Sequence, residues 1–462
     1  MEISPIECLP PELLRMVLTN LDSLTTLRCA ILSSRVLLRS FNADSSAIAT
    51  RVLFNQLDAR NVRPEAIAAV LALDLARPTR RQAEEFLSAH ILHRNAEHGI
   101  RLTPNQATYL LQLHSAISRL TEDFITATFQ HLITAAKECR VDQAQALTPS
   151  ALERDRITRT FYIIEIFFNV FRTTSMSDME EGLAMYHFLV GFARWEVEQI
   201  TCVQEFLFFH VSPSFNEMAA HDVGWGKYEV PPVQWFGAPQ IHSVYFKGLA
   251  VLDSLARAKT YDAQFKLFDH GQIPRGRDHN LFRALKGFKD MEGGRGRATV
   301  SQYNMEDYGI SPHFDDPDGG PFSIWKWAHE GFPLHSAVYN RHRSRLRRWG
   351  YVMLDQARLK TLALCEERYQ LREARPFRWS PPDFPPREDD DESWELSYRE
   401  RARIYDEHGR GWWSAGDESK IVWRQAKEGP AKSPAKKSPA KAHIIPTSLE
   451  EARRIILALQ WP

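Results

Sequence analysis

A histidine and three aspartates within eight residues form the group of side chains best suited to chemistry in this sequence. His313, Asp315, Asp316 and Asp318 all fall between residues 313 and 320. A His-x-Asp pair can supply two ligands to a metal, but a third ligand has to come from elsewhere in the chain. The segment also contains Asp-Pro-Asp-Gly-Gly, and these residue types dominate turns. We therefore interpret it as a turn and expect no metal site and no cofactor.

Two Ser-Pro-Ala-Lys units, which begin at Ser433 and Ser438, are the second group of interest. Both serines precede proline and are candidates for phosphorylation, which would add about −1.5 to −2 charges each. The units resemble those of linker-histone tails, and the basic tract 431–442 could follow a DNA backbone weakly by charge. A solvated linker explains the tract equally well, because it holds too few apolar residues to bury a core.

Common catalytic signatures are missing from the sequence. It contains no Gly-x-x-x-x-Gly-Lys-Ser/Thr motif, no nucleophile elbow and no Cys-x-x-Cys pair, and its five cysteines stand singly, as in a reduced compartment. His210, His221 and His242 lie among aromatic residues, where a core or loop histidine is the usual finding. We therefore expect a protein without catalytic residues.

Composition describes an ordinary globular chain. Its 462 residues suggest two to three domains, and 58 basic and 58 acidic side chains give a formal net charge of zero. A global attraction to nucleic acid or acidic membranes is therefore not expected. The longest apolar run, Phe161 to Phe171, is too short to cross a bilayer of roughly 30 Å. The first residues lack a secretory signal pattern, so we expect a cytoplasmic and/or nuclear protein without membrane association.

The elements that position these residues are predicted to be helices. Capping boxes at Thr103–Gln106 and Ser150–Glu153 begin long amphipathic or apolar stretches, whereas strand-like alternation is scarce. The nearly continuous apolar character of 157–171 places that segment in the centre of the core. Further helices are predicted over 64–75, 79–92, 178–209, 241–258, 335–371 and 448–462.

The fold class expected from these patterns is all-α. An N-terminal helical hairpin precedes a multi-helix bundle with long aromatic-rich loops and a partly disordered C-terminal tail. The predicted parts are 1–58 (helical hairpin), 59–210 (helical bundle), 211–375 (loop-rich continuation of the body), 376–447 (proline-rich, acidic and basic low-complexity region) and 448–462 (terminal helix).

The N-terminal hairpin has its own physical signature. Pro11 suits the first position of a helix, and Asp22 or Ser23 is expected to cap the next one. Burying its ten or so aliphatic side chains would contribute roughly 20 kcal/mol. Ordering its residues would cost on the order of 50 kcal/mol. The hairpin must therefore pack against the rest of the chain or against a partner.

The same residues resemble an F-box. Leu9-Pro10-Pro11-Glu12-Leu13-Leu14, followed by aliphatic residues at Val17, Leu18, Leu21, Leu24 and Leu27, matches that family's pattern over about a tenth of the chain. Ser33–Leu38 carries no tryptophan, where many F-boxes have one. The resemblance implies that the segment binds a Skp-type adaptor of a cullin–RING ubiquitin ligase. The residues expected to bind the adaptor are Leu9, Pro10, Leu13, Leu14, Val17, Leu18, Leu21, Leu24 and Leu27.

A looser resemblance extends beyond the hairpin. The helical body and the segment Arg345–Met353 are similar to F-box-like proteins of filamentous fungi. The leading hypothesis is therefore a non-catalytic subunit that presents an unknown protein substrate to a ubiquitin ligase. The alternative is a nuclear or chromatin-associated protein that uses the basic tract 431–442. An enzyme would have to rely on the 313–320 cluster alone.

Overall fold

The computed structural model describes most of the chain, and its described regular structure is all-α except for two short strands. Contacts between Cα atoms divide the chain into two compact units. The first unit comprises Met1–Arg60, His98–Leu113 and Gln425–Pro462, and the second comprises Asn61–Glu97 and His114–Arg424. The described residues are 5–57, 62–92, 100–139, 148–233, 238–273, 280–293, 299–302, 316, 318–339, 343–362 and 391–423.

Four helices joined by short turns make up most of residues 5–57 of the first unit. They are α1 (Pro11–Thr19), α2 (Leu24–Ser33), α3 (Arg35–Ala43) and α4 (Ser45–Gln56), and a 3-10 turn, Pro5–Cys8, precedes them. Both α1 and α2 contact α3 and α4. The predicted hairpin is thus covered on one side by two further helices. The sequence predicts a helical hairpin over 1–58, and the structure adds α3 and α4 to it.

The helices of the second unit include one that is shared with the first, since the division falls within α7. The helices from α5 to α13 are α5 (Arg63–Leu71), α6 (Arg80–Leu87), α7 (Pro104–Cys139), α8 (Ala151–Phe171), α9 (Asp178–Val190), α10 (Arg194–His221), α11 (Val223–Lys227), α12 (Pro239–Tyr245) and α13 (Leu249–Arg257). The remainder are α14 (Tyr261–Leu267), α15 (Leu281–Gly293), α16 (Gly320–His329), α17 (Ser344–Arg348), α18 (Gln356–Thr361) and α19 (Asp391–Asp406).

The core of the second unit is built around α8, as its apolar character predicts. From Ile157 to Phe171 its side chains are buried on nearly every side, and α5 and α10 pack against it. The predicted capping box is present: Ser150 Oγ accepts the Glu153 N–H at 3.2 Å, and Glu153 Oε2 accepts the Ser150 N–H at 2.8 Å. Local capping and a central apolar helix were therefore readable from the sequence.

Buried arginines join helices that are distant in sequence. Arg159 Nε lies 2.9 Å from Glu65 Oε1, and its Nη1 lies 2.6 Å from Glu196 Oε1. Arg347 contacts two carboxylates on α10, Glu198 at 3.2 Å and Glu205 at 2.6 Å. Removing one member of such a group leaves an uncompensated buried charge, so these contacts define how the helices pack.

Two predicted helices are interrupted in the structure. The helix expected over 178–209 consists of α9 and α10, and the second part continues to His221 through Pro213. The second helix, α10, begins after Ala193, and Glu196 Oε2 caps this start by accepting the Ala193 N–H at 2.8 Å. The helix expected over 241–258 breaks at Gly248, whose φ of +94° favours glycine.

The long helix expected over 335–371 is wrong in its described part. The chain forms a 3-10 turn (Leu334–Ser336), α17, a second 3-10 turn (Tyr351–Met353) and α18 instead. Gly350 ends α17 with a left-handed φ of +61°. Residues 363–371 lie outside the described residues, as does the predicted terminal helix 448–462.

Residues 391–423 correct the predicted low-complexity region. They form α19 and a hairpin of two antiparallel strands, β1 (Gly409–Gly411) and β2 (Ile421–Trp423). Ile404, Trp413 and Ile421 bury their side chains against Val223 of α11. The prediction gave too much weight to the flanking proline and charge runs and too little to these apolar residues. No helix within the described ranges is long and apolar enough to span a membrane.

Candidate docking surface

Several large apolar side chains of α1 are exposed. Leu13, Met16 and Val17 are 44%, 59% and 36% exposed, and Ile6 in the preceding turn is 36% exposed. Spacings of three and four residues place Leu13, Met16 and Val17 on one face of the helix. Large apolar side chains grouped on a surface in this way mark interaction sites. We call Leu13, Met16 and Val17 the α1 stripe.

The adjacent face of the same helix belongs to the core of the first unit. Leu14 and Leu18 are 1% and 0% exposed. The helix is therefore apolar on two faces, and the chain itself covers only one of them. This arrangement explains why the sequence pattern of α1 is a single broad apolar face.

Side chains of α4 hold the turn between α1 and α2. Asn55 Nδ2 donates to the carbonyls of Thr19 at 2.9 Å and Leu21 at 3.0 Å. Gln56 Oε1 accepts the Leu24 N–H at 3.0 Å. These two anchors were not predicted, because only the fold brings them to a turn more than thirty residues earlier. They fix the direction in which α1 leaves the turn.

Local capping completes the geometry. Ser23 Oγ accepts the Thr26 N–H at 3.0 Å, so Ser23, of the two predicted candidates, caps α2. The Thr26 hydroxyl holds the pKa of Asp22 below its ordinary value. Glu12 and Arg15 form an exposed pair at 3.7 Å beside the α1 stripe. Exposed pairs of this kind contribute little to stability. Glu12 and Arg15 therefore mainly add charged groups next to the apolar side chains of the α1 stripe.

The structure divides the predicted adaptor-binding residues into two groups. Pro10, Leu13 and Val17 are exposed, and Leu9 and Leu21 are half-buried. The other four pack inside the first unit and have no surface to offer a partner, because α3 and α4 cover them. The buried four are Leu14, Leu18, Leu24 and Leu27. Met16 and Ile6 were missed and belong with the exposed group.

The aspartates of the 313–320 cluster have a structural role. Arg156 of α8 is buried, and its Nη2 lies 2.9 Å from Asp316 Oδ1 and 2.8 Å from Asp318 Oδ2. Asp316 Oδ1 also accepts the Asp318 N–H at 3.1 Å, a contact typical of turns. The guanidinium binds both carboxylates, and Asp318 Oδ1 also accepts the Gln356 N–H at 3.1 Å, so these oxygens are engaged within the protein and do not form a free acidic site. His313 and Asp315 lie outside the described residues.

Other chemically versatile side chains are built into the packing. His210 stacks on Phe206, and burial lowers its pKa. His221 Nδ1 lies 2.9 Å from the Trp413 carbonyl, and His242 is buried. Within the ranges that the structure describes, no group of three His, Cys, Asp or Glu side chains is placed to hold a metal. Ser433 and Ser438 lie outside those ranges.

Comparison with known proteins adds no relative. No family model matches the chain, and neither a curated protein nor a solved structure matches it.

Proposed function

We propose that this chain is a substrate-recognition subunit of an SCF-type cullin–RING ubiquitin ligase. The α1 stripe would bind a Skp-type adaptor, and the helical second unit would bind a protein substrate. The observation that carries the proposal is the two-faced α1 helix within an F-box-like sequence pattern. Leu13 and Val17 are exposed although their neighbours Leu14 and Leu18 build the core.

The energetics of the α1 stripe suit a docking contact. Fully burying a leucine, valine or methionine contributes about 1.5–3 kcal/mol, and these side chains are roughly half exposed. Covering Leu13, Met16 and Val17 would therefore contribute on the order of 1 kcal/mol each. Each 1.4 kcal/mol changes affinity about tenfold, so the stripe alone can alter binding by about a hundredfold.

The proposed role requires no catalytic residue in this chain. Ubiquitin transfer would occur on partner subunits, and this protein would supply two binding surfaces. His221, Asp316 and Asp318 are consistent with that role, because His221 binds a backbone carbonyl and both aspartates form ion pairs with Arg156.

Co-purification tests the proposal. Full-length protein would be co-expressed with a Skp-type adaptor, and an L13D/V17D variant would be compared with the wild type. Met179→Asp is the matched control, since Met179 is 74% exposed and belongs to the second unit. We expect the double variant to lose the adaptor and the control to retain it.

Thermal melting followed by circular dichroism shows whether the double variant is folded. Both replaced side chains are exposed, so its melting temperature should stay close to that of the wild type. A folded double variant that binds the adaptor as well as the wild type does would rule out the α1 stripe as the docking surface. Failure of the wild-type protein to bind any Skp-type adaptor would rule out the function itself.

A further inference from the structure

A large cavity opens in the second unit, and the docking proposal uses none of the residues that line it. Its volume is about 1190 Å³, and it lies among the end of α8, α12, α14 and β1. Sites for small molecules are typically concave and of about 300–1000 Å³. This cavity is therefore large enough for a ligand of that class. All of its lining residues belong to the second unit.

The charges around the cavity favour an anion. Arg172, Lys247 and Arg410 line it, against two carboxylates, Asp222 and Asp269. Asp269 forms an ion pair with Lys247, so these two charges neutralise each other. Asp222 is buried and accepts hydrogen bonds from the Trp225 N–H at 2.7 Å and the Tyr261 hydroxyl at 2.8 Å.

Arg172 Nη2 donates to Asn169 Oδ1 at 2.9 Å, which leaves Arg410 as the candidate to bind a ligand. Arg410 Nη1 donates to the carbonyls of Tyr405 at 2.9 Å and Gly409 at 2.6 Å. Its guanidinium lies 3.5 Å from the centre of the Tyr405 ring, which holds it flat. In the part of the chain that the structure describes, no carboxylate forms an ion pair with it. A planar guanidinium with unused N–H groups suits the oxygens of a phosphate.

Aromatic rings form much of the remaining wall. Tyr228 and Tyr405 meet edge to face with ring centres 5.9 Å apart, and Phe265 lines the cavity as well. Tyr228 is 56% exposed, so much of its ring is available to a ligand. Stacking of a planar base on such a ring contributes about 1–3 kcal/mol. The wall is therefore suited to a flat ring next to the cationic group.

A strained loop forms one edge of the cavity. Asp269, His270 and Gly271 have consecutive left-handed φ values of +55°, +57° and +76°. Only the third is glycine, and a non-glycine residue in this region costs roughly 1–2 kcal/mol. The ion pair with Lys247 and the contact between the His270 and Phe265 rings hold the loop in place. Strain of this kind is concentrated at ligand sites.

We propose that this cavity binds a small molecule that carries a phosphate group and a planar ring, of the nucleoside monophosphate type. Arg410 binds the phosphate, and Tyr228 stacks on the ring. The proposal does not depend on adaptor docking, because every residue involved belongs to the second unit.

Isothermal titration of the full-length protein with three probes tests the proposal. The probes are adenosine monophosphate, inorganic phosphate and adenosine. We expect the monophosphate to bind at least tenfold more tightly than either of the other two. No detectable binding of the monophosphate at millimolar concentration would overturn the proposal, and phosphate binding as tight as that of the monophosphate would overturn the role of the ring.

Two variants separate the two contacts. Arg410→Gln should weaken binding of the monophosphate and of phosphate at least tenfold, whereas Tyr228→Ala should weaken the monophosphate but leave phosphate unchanged. Arg81→Gln is the matched control, since Arg81 is exposed on α6 and does not line the cavity. Melting temperatures identify any variant that fails to fold. If one variant does not fold, the binding result of the folded variant tests the proposal. If both folded variants bind the monophosphate as the wild type does, the assignment is wrong.

Discussion

Replacing His329 with glutamine should remove one definable contribution to the acid sensitivity of the second unit. His329 is fully buried near the end of α16, and its Nδ1 lies 2.9 Å from the Trp325 carbonyl. Its Nε2 has no hydrogen-bond partner among the described residues. Burial, together with the nearby charges of Arg343 and Arg347, lowers the pKa of His329 from 6.5 to about 3. The folded protein therefore keeps this imidazole neutral.

The sign and size of the effect follow from proton linkage. Below pH 6.5 the unfolded chain takes up a proton at this histidine, whereas the folded chain does so only near pH 3. The free energy of unfolding therefore falls as the pH is lowered through this window. At about 1.36 kcal/mol for each tenfold change in proton concentration, the loss is roughly 2 kcal/mol between pH 7.5 and pH 5. Over the whole window it approaches roughly 5 kcal/mol.

Urea unfolding followed by tryptophan fluorescence measures this loss, because the tryptophans between 195 and 423 all belong to the second unit. Between pH 7.5 and pH 5, the His329→Gln variant should lose about 2 kcal/mol less than the wild type. Arg81→Gln serves as a control, since Arg81 is exposed on α6 and its guanidinium stays protonated throughout this pH range, so its replacement should leave the difference unchanged. Equal losses in the wild type and His329→Gln would refute the conclusion that this imidazole is buried and neutral.

Three further predictions concern the packing. Arg347→Met should lower the free energy of unfolding of the second unit by about 3–5 kcal/mol, because two buried carboxylates lose their counter-ion, and urea unfolding at pH 7.5 measures it. Leu18→Ala should destabilise the first unit by about 2–5 kcal/mol, whereas Met16→Ala should change its stability by less than about 0.5 kcal/mol, as judged by circular dichroism melts. Gly248→Ala should cost about 1–3 kcal/mol, since φ is +94° and the new Cβ would lie 2.9 Å from Glu165 Oε1.

Features encoded by neighbouring residues were predictable from the sequence. The predicted capping boxes at Thr103 and Ser150 each depend on residues three positions apart, and both are present. The central position of α8 follows from its own composition. Such features need no knowledge of what lies across the fold, which is why a sequence pattern suffices for them.

The helix breaks were missed although each has a local signal, Gly248 before α13 and the Glu196 cap on Ala193 before α10, and distant residues then fix both breaks. At the break before α13, Glu165 Oε2 accepts the Leu249 N–H at 2.7 Å, and this carboxylate lies 84 positions earlier. At the break before α10, Glu196 both caps the helix and pairs with Arg159. Apolar periodicity continues across both breaks, so it predicts one helix where the structure has two.

The surface proposed for docking shows the same limit of prediction from sequence periodicity. Sequence periodicity gave α1 one broad apolar face, but it could not say which side the chain would cover, because α3 and α4 decide that. Leu14 and Leu18 became core, while Leu13 and Val17 stayed exposed.

This division changes the energetic argument for docking. The hairpin alone cannot offset its ordering entropy, so a partner would have to order the helices and bind them at once. Packing of α1 and α2 on α3 and α4 orders the helices within the chain itself. Asn55 and Gln56 then fix the turn that carries the stripe. In the proposed function a partner would therefore meet a preorganised surface, and a larger share of the free energy gained by covering Leu13, Met16 and Val17 would remain available for affinity.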